Sequence, residues 1–190
     1  IKGVAIVSGN DACVALAENI SGTEEVFVSK MNEKAKMLGL EGTQFQNSHG
    51  MPAKDQYTTA LDMAILARRY IEAHPEALSF HSTLSFEHNG ILQGNRNVLL
   101  RRDIGVDGLM TGHVEESGYH LVVTAKRDSW RLIAVIMGSK SLSNRAREAQ
   151  DLLGFGFKHF SVEEPFKKGS PLGSIKVVRG KMSQVELIAA

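Results

Sequence analysis

The chain has 190 residues, a formal net charge of +1, and 43% hydrophobic and 23% charged residues. That is material for one full domain and part of another, in the proportions of a soluble globular protein. The near-neutral balance, with Lys and Arg scattered among Asp and Glu, argues against a dedicated nucleic-acid binder, which carries a basic patch or stripe. No apolar run reaches the roughly 18 residues of a transmembrane helix.

Residues 1–7 (IKGVAIV) read as the middle of an element, so the chain is expected to be a fragment or processed product. Residues 10–20 read as a helix. The lone Cys13 sits in its apolar stretch and reads as a small buried residue. The run Ser21-Gly22-Thr23-Glu24 has capping-box spacing. It opens a second helix with Val28, Met31, Ala35 and Leu38 on one face, closed by Gly39. Residues 40–57 are loop-rich. Thr59 and Asp62 form another capping box, and Met63, Leu66, Ala67 and Tyr70 give the next helix its face, up to His74-Pro75. Residues 83–87 and 91–93 read as strands around Asn89-Gly90, a strong hairpin turn. A strand over 106–113 follows. Residues 119–125 and 130–137 form a second hairpin around Arg127-Asp128-Ser129, with arms apolar enough to be covered on both faces. A last helix carries Ala146, Ala149, Leu153, Phe157 and Phe160. Beyond it, 161–190 reads as a linker and the start of a small β-rich domain, with strands over 175–178 and 184–188 around Arg179-Gly180-Lys181.

Two short motifs stand out: Ser8-Gly9-Asn10 and Met110-Thr111-Gly112-His113. Alone, the first is ordinary helix-capping chemistry, and the second is weaker still. Their surroundings add weight: residues 6–17 (IVSGNDACVALA), 44–59 (QFQNSHGMPAKDQYTT), 93–97 (QGNRN), 106–113 (VDGLMTGH) and 118–127 (GYHLVVTAKR). In this order they resemble the D-alanyl-D-alanine carboxypeptidases, the low-molecular-weight penicillin-binding proteins of bacteria. The resemblance runs to about Phe160. It implies an α/β penicillin-binding, β-lactamase-like fold with an antiparallel sheet covered by helices on both faces. A catalytic domain would span 1–160, and 161–190 would begin a C-terminal β domain.

The resemblance also implies chemistry. A serine attacks the D-Ala-D-Ala amide of a peptidoglycan stem peptide, releases D-alanine and leaves an acyl-enzyme that water hydrolyses. β-lactams would be covalent inhibitors of the full-length protein, and no cofactor or metal is needed. The family's S-x-N residues map onto Ser8, a proton relay, and Asn10, a hydrogen-bond partner of the substrate amide. Its K-T-G strand edge maps onto Met110, Thr111 and Gly112. Thr111 would bind the substrate carboxylate, and the backbone N–H of His113 would be an oxyanion donor. Arg145 would face the terminal carboxylate of D-alanine, which suits a guanidinium fork. Arg96 and His49 would have supporting roles. The place implied is the bacterial envelope outside the cytoplasmic membrane, with membrane association allowed through a C-terminal segment beyond the chain.

Two departures matter. No serine has a lysine three residues later, so the family's Ser-x-x-Lys nucleophile motif is absent from the chain. Methionine also stands at 110 where the family has lysine. It fills similar space without the charge that favours the anionic species of acylation. The chain as it stands is therefore expected to be inactive. The alternatives are a non-catalytic module that keeps the peptide groove and, further off, a β-lactamase. The histidines at 74, 81 and 88 have no accompanying ligand pattern, so no metal site is read.

Overall fold

A computed structural model of the chain describes residues 1–189. Helix α1 (Lys2–Val7) ends at Ser8, which takes the left-handed conformation (φ 57°, ψ 45°) and turns the chain into α2 (Asn10–Ser21). Gly22 (φ 84°) stops α2, its N–H donating to the Glu18 carbonyl at 2.7 Å. Thr23 is then extended, and its Oγ1 accepts from the Val26 N–H at 3.3 Å, opening α3 (Glu24–Met37). The capping residue is therefore Thr23, not Ser21 as the spacing suggested, because the glycine break lies between them. Glu24 and Glu25 in the first turn and Lys34 and Lys36 in the last suit the helix dipole.

The loop between α3 and α4 (Ala60–Ala73) is pinned by side chains. Asn32 brackets Phe45, donating to its carbonyl at 2.9 Å and accepting from its N–H at 2.8 Å. Glu24 accepts from the Ser48 N–H at 2.9 Å and hydroxyl at 2.6 Å. Thr59 Oγ1 caps α4 by accepting from the Asp62 N–H at 3.1 Å. The buried Asp62 carboxylate turns to the loop instead of completing the box, accepting from the Gly42 N–H at 2.9 Å and Thr43 Oγ1 at 2.6 Å. Past His74, Pro75 opens a 3-10 turn that leads into α5 (Leu78–His81), a one-turn element with no hydrophobic period to announce it.

Strands β1 (Ser85–His88) and β2 (Ile91–Gly94) form the predicted hairpin, with Asn89 and Gly90 both at positive φ. A second sheet holds β3 (Val106–Val114), β4 (Gly118–Arg127) and β5 (Trp130–Ser139), antiparallel in the order β3-β4-β5. Its β4–β5 turn is the two residues Asp128-Ser129, one fewer than expected, because β4 runs on through Arg127. Helix α6 (Leu142–His159) packs on one face of this sheet and α4 on the other. Phe160, expected on α6, lies just beyond its end. The core is Leu99, Leu121, Val123, Ala125 and Ala134 against Ala146, Ala149 and Leu153. Each buried leucine there contributes about 1.5–3 kcal/mol.

The chain divides into two compact units after His159. The second holds β6 (Pro171–Lys176) paired antiparallel with β7 (Gln184–Ile188). Strand β6 begins earlier than the pattern around Arg179-Gly180 suggested.

Candidate active-site edge

Among the described residues, strand β3 is an edge of its sheet, paired only with β4. The register sets Met110 opposite Val122, Thr111 opposite Leu121, Gly112 opposite His120 and His113 opposite Tyr119. Because side chains alternate, Met110 and Gly112 share a face with His120 and Val122, while His113 turns to the face carrying Tyr119 and α6. The first face opens into a cleft of about 900 Å³. Met110, Thr111, Gly112 and His120 form one wall and the loop at Asn47, Ser48 and His49 the other. Met31, Met63 and Met137 make its lining apolar.

Ser8 and Asn10 do not border this cleft. They lie at the α1–α2 corner. Helix α1 packs on α5, and α5 packs on β3, where Gly108 lies against His81 and Leu78. The corner and the edge strand therefore meet through α5.

Arg145, near the start of α6, is 3% exposed. Its Nη1 donates to the Gly112 carbonyl at 3.3 Å and the His120 carbonyl at 3.1 Å. The guanidinium lies 5.9 Å from the Tyr119 ring centroid, and the His113 ring stacks on the same tyrosine with centroids 4.1 Å apart. Burial pulls the Arg145 pKa down, with Tyr119 opposing. Arg145 Nε is buried without a partner, a donor left over beside the strand end.

No motif points to His120. Its Nδ1 accepts from the Gly138 N–H at 3.1 Å, and Nε2 lies 2.9 Å from Ser117 Oγ. With Nδ1 accepting, Nε2 carries the proton and donates to Ser117. The ring is thus neutral, and the pair is not a nucleophile with its base, since the basic nitrogen is already occupied. Burial holds the His120 pKa below the usual histidine value, helped by the charges of Arg145 and His113. The one signal for it in the sequence is alternation along β4, which turns 120, 122 and 124 to one face.

His49 is held in its loop: Nδ1 accepts from the Met51 N–H at 3.2 Å, and Nε2 lies 3.9 Å from the Glu24 carboxylate. That carboxylate is kept below its usual pKa chiefly by its bonds from Ser48. In the Asn-Arg-Asn stretch the anchoring falls to the asparagines, with Arg96 exposed between them. Asn95 donates to the His81 and Thr83 carbonyls at 3.0 Å each, and Asn97 donates to the Gly108 carbonyl at 3.3 Å. Among the described residues, no group of three or more His, Cys, Asp or Glu side chains is placed to hold a metal ion.

An exposed sheet edge can in general receive an extended peptide as an added strand. Comparison with known proteins gives the family. The sequence profile of the D-alanyl-D-alanine carboxypeptidases matches residues 1–141. The chain belongs to the D-alanyl-D-alanine carboxypeptidase family. It is 42% identical over 187 residues to D-alanyl-D-alanine carboxypeptidase DacC of Escherichia coli (strain K12), covering 98% of this chain and 47% of that protein. Its fold matches penicillin binding protein 5 from Haemophilus influenzae with a TM-score of 0.92 at 40% identity, over 99% of this chain and 55% of that one. Penicillin-binding protein D2 from Listeria monocytogenes in its ampicillin-bound form matches with a TM-score of 0.76 at 29% identity, over 82% of this chain and 65% of that one. The fold is therefore the α/β penicillin-binding fold. The chain spans about half the length of the curated carboxypeptidases it matches.

Proposed function

We propose that this chain is part of a serine-type D-Ala-D-Ala carboxypeptidase that trims peptidoglycan stem peptides in the bacterial envelope, outside the cytoplasmic membrane. The observation that carries the reading is the free edge of β3 with Thr111, Gly112 and His113 on it and buried Arg145 behind it. A stem peptide ending in D-Ala-D-Ala would lie along this edge as an added strand. A serine elsewhere in the full-length protein would attack the penultimate carbonyl. Its oxygen–carbon bond forms, the amide carbon–nitrogen bond breaks, and D-alanine leaves with a proton on its new amine. Water then cleaves the acyl ester.

In this reading the His113 N–H stabilises the oxyanion, and Thr111 and Arg145 take the terminal carboxylate. Ser8 relays the proton and Asn10 fixes the substrate amide. Met110 packs where a lysine's charge would assist acylation, so the chemistry is slow. The unit after His159 is the beginning of a β-rich C-terminal domain.

The test is acylation of the full-length protein by a fluorescent penicillin. A covalent adduct on a serine is the expected result, and a folded protein that never forms one contradicts the reading. Met110 specifically favours a second reading, a non-catalytic peptide-binding module. It would show peptide binding without any adduct. Penicillin turnover faster than peptide turnover would indicate a β-lactamase instead.

A further inference from the structure

Strand β3 does two incompatible things unless something interrupts its alternation. Val106 packs against the α6-facing core, and four residues later Met110 faces the cleft. In an uninterrupted strand, residues 106 and 110 would share a face. The register shows the interruption: Val106 pairs with Ala125 and Gly108 with the next residue, Thr124, so Asp107 is one extra residue, a β-bulge. Everything downstream is turned over by it. Without the extra residue, the side chains of Met110 and Gly112 would share the α6-facing side with Val106, and those of Thr111 and His113 would take the opposite face.

The bulge is held by its own side chain. The Asp107 carboxylate receives both arms of the Arg131 guanidinium, Nη1 to Oδ1 at 2.5 Å and Nη2 to Oδ2 at 2.7 Å. Arg131 is on β5, so this fork reaches over β4. There Arg131 Nη1 also donates to Thr124 Oγ1 at 2.8 Å, and Thr124, fully buried, donates to the Leu132 carbonyl at 3.0 Å. All three strands are joined at the bulge. On the far side Gly108 is held by Asn97 and packed against His81, whose Cβ would lie 3.3 Å from any Cβ added to the glycine.

We infer that Arg131, acting through Asp107, is a positioning residue that fixes the bulge and so decides which face of the Met110–His113 edge meets the substrate. The inference rests on the edge-strand reading above. In that reading Arg131 touches neither substrate nor nucleophile. A bidentate fork suits the task because it fixes orientation as well as distance, which a lysine at the same position does not.

The experiment uses the full-length protein with isotope-labelled glycine, and compares Asp107→Ala, Arg131→Ala, Arg131→Lys and the double D107A/R131A variant. The glycine amide signals of Gly108 and Gly112 report the bulge and the edge, and those of Gly22 after α2 and Gly154 in α6, which have no neighbours around the fork, report the fold. Gly108 and Gly112 are expected to shift in every variant, Arg131→Lys included, while Gly22 and Gly154 stay. Acylation by a fluorescent penicillin is expected to fall roughly tenfold in each, with the double variant no worse than either single, because the two residues act as one unit. Unmoved Gly112 signals, loss that follows unfolding at all four glycines, or single effects that multiply in the double variant would overturn the inference. If the unaltered protein is never acylated, the carboxypeptidase reading has failed separately, and the glycine signals still decide whether the fork sets the strand.

Discussion

The Arg145 guanidinium donates to the Gly112 carbonyl at 3.3 Å from beneath the strand end. One side chain of α6 thereby ties the edge strand to its neighbour, since the same nitrogen reaches the His120 carbonyl on β4. Its backbone acceptors satisfy part of the guanidinium, and its Nε is buried without a partner. In the proposed carboxypeptidase reading the same guanidinium also takes the terminal carboxylate of the substrate.

Arg145→Met should therefore separate two effects. Losing hydrogen bonds from a charged group should cost about 1.5–3 kcal/mol of stability, read as a lower urea midpoint. Affinity for peptides ending in a free carboxylate should fall further than affinity for the corresponding amides. Equal loss for both would restrict Arg145 to a structural role.

Position 110 should limit acylation. Met110→Lys in the full-length protein should raise the rate constant for penicillin acylation roughly a hundredfold, equivalent to about 2.7 kcal/mol of barrier. Stopped-flow measurement with a fluorescent penicillin checks this. No gain would mean that the surrounding residues no longer support the chemistry and would favour the binding module.

Histidine protonation should weaken the fold in mild acid. His120 and His81 both have pKa values held down, in each case first by burial. Above about pH 6.5, the ordinary value, they are neutral in both folded and unfolded states and their full contribution is present. As pH falls below that value, the unfolded chain takes up protons before the folded one, so stability declines until the depressed folded-state values are passed. The urea midpoint should therefore hold steady above about pH 6.5, the ordinary histidine pKa, and drop as pH falls below it. His120→Asn, which keeps an acceptor for the Gly138 N–H, should flatten that dependence. An unchanged slope would show that His120 does not contribute.

Much of this architecture was legible because it is local. Asn89-Gly90 dictates its hairpin through positive φ at both residues, and the apolar spacing of Met63, Leu66, Ala67 and Tyr70 gives α4 its extent. The α3 cap lies two residues beyond the Ser21 that the spacing suggested, because Gly22 closes α2 at positive φ and Ser21 still belongs to that helix. The β3 bulge left no mark in the hydrophobic pattern, since one extra residue is visible only once Val106 and Gly108 are paired against β4. The Asp107–Arg131 fork, 24 residues apart, and the Ser117–His120–Gly138 set likewise exist only through strand register. The candidate site was recognisable as two motifs in resembling text. That Arg145 grips the strand carrying the second motif was not, because it follows from helix-on-sheet packing.

Gly105, just before β3, should tolerate no side chain. It has φ 80°, and a Cβ there would lie 2.4 Å from the Lys126 carbonyl oxygen. Backbone cannot yield as a side-chain tip can, so Gly105→Ala should cost at least the roughly 1–2 kcal/mol of a left-handed non-glycine residue. Thermal unfolding checks it, and a variant as stable as the parent would refute the local geometry.

The most direct test of the carboxypeptidase reading is D-alanine release from a peptide ending in D-Ala-D-Ala. It is followed with the full-length protein, both unaltered and carrying Met110→Lys. Release of one D-alanine per peptide is expected, slow in the unaltered protein, much faster in the M110K variant, and stopped in both by ampicillin. Folded protein that releases no D-alanine in either form would contradict the reading.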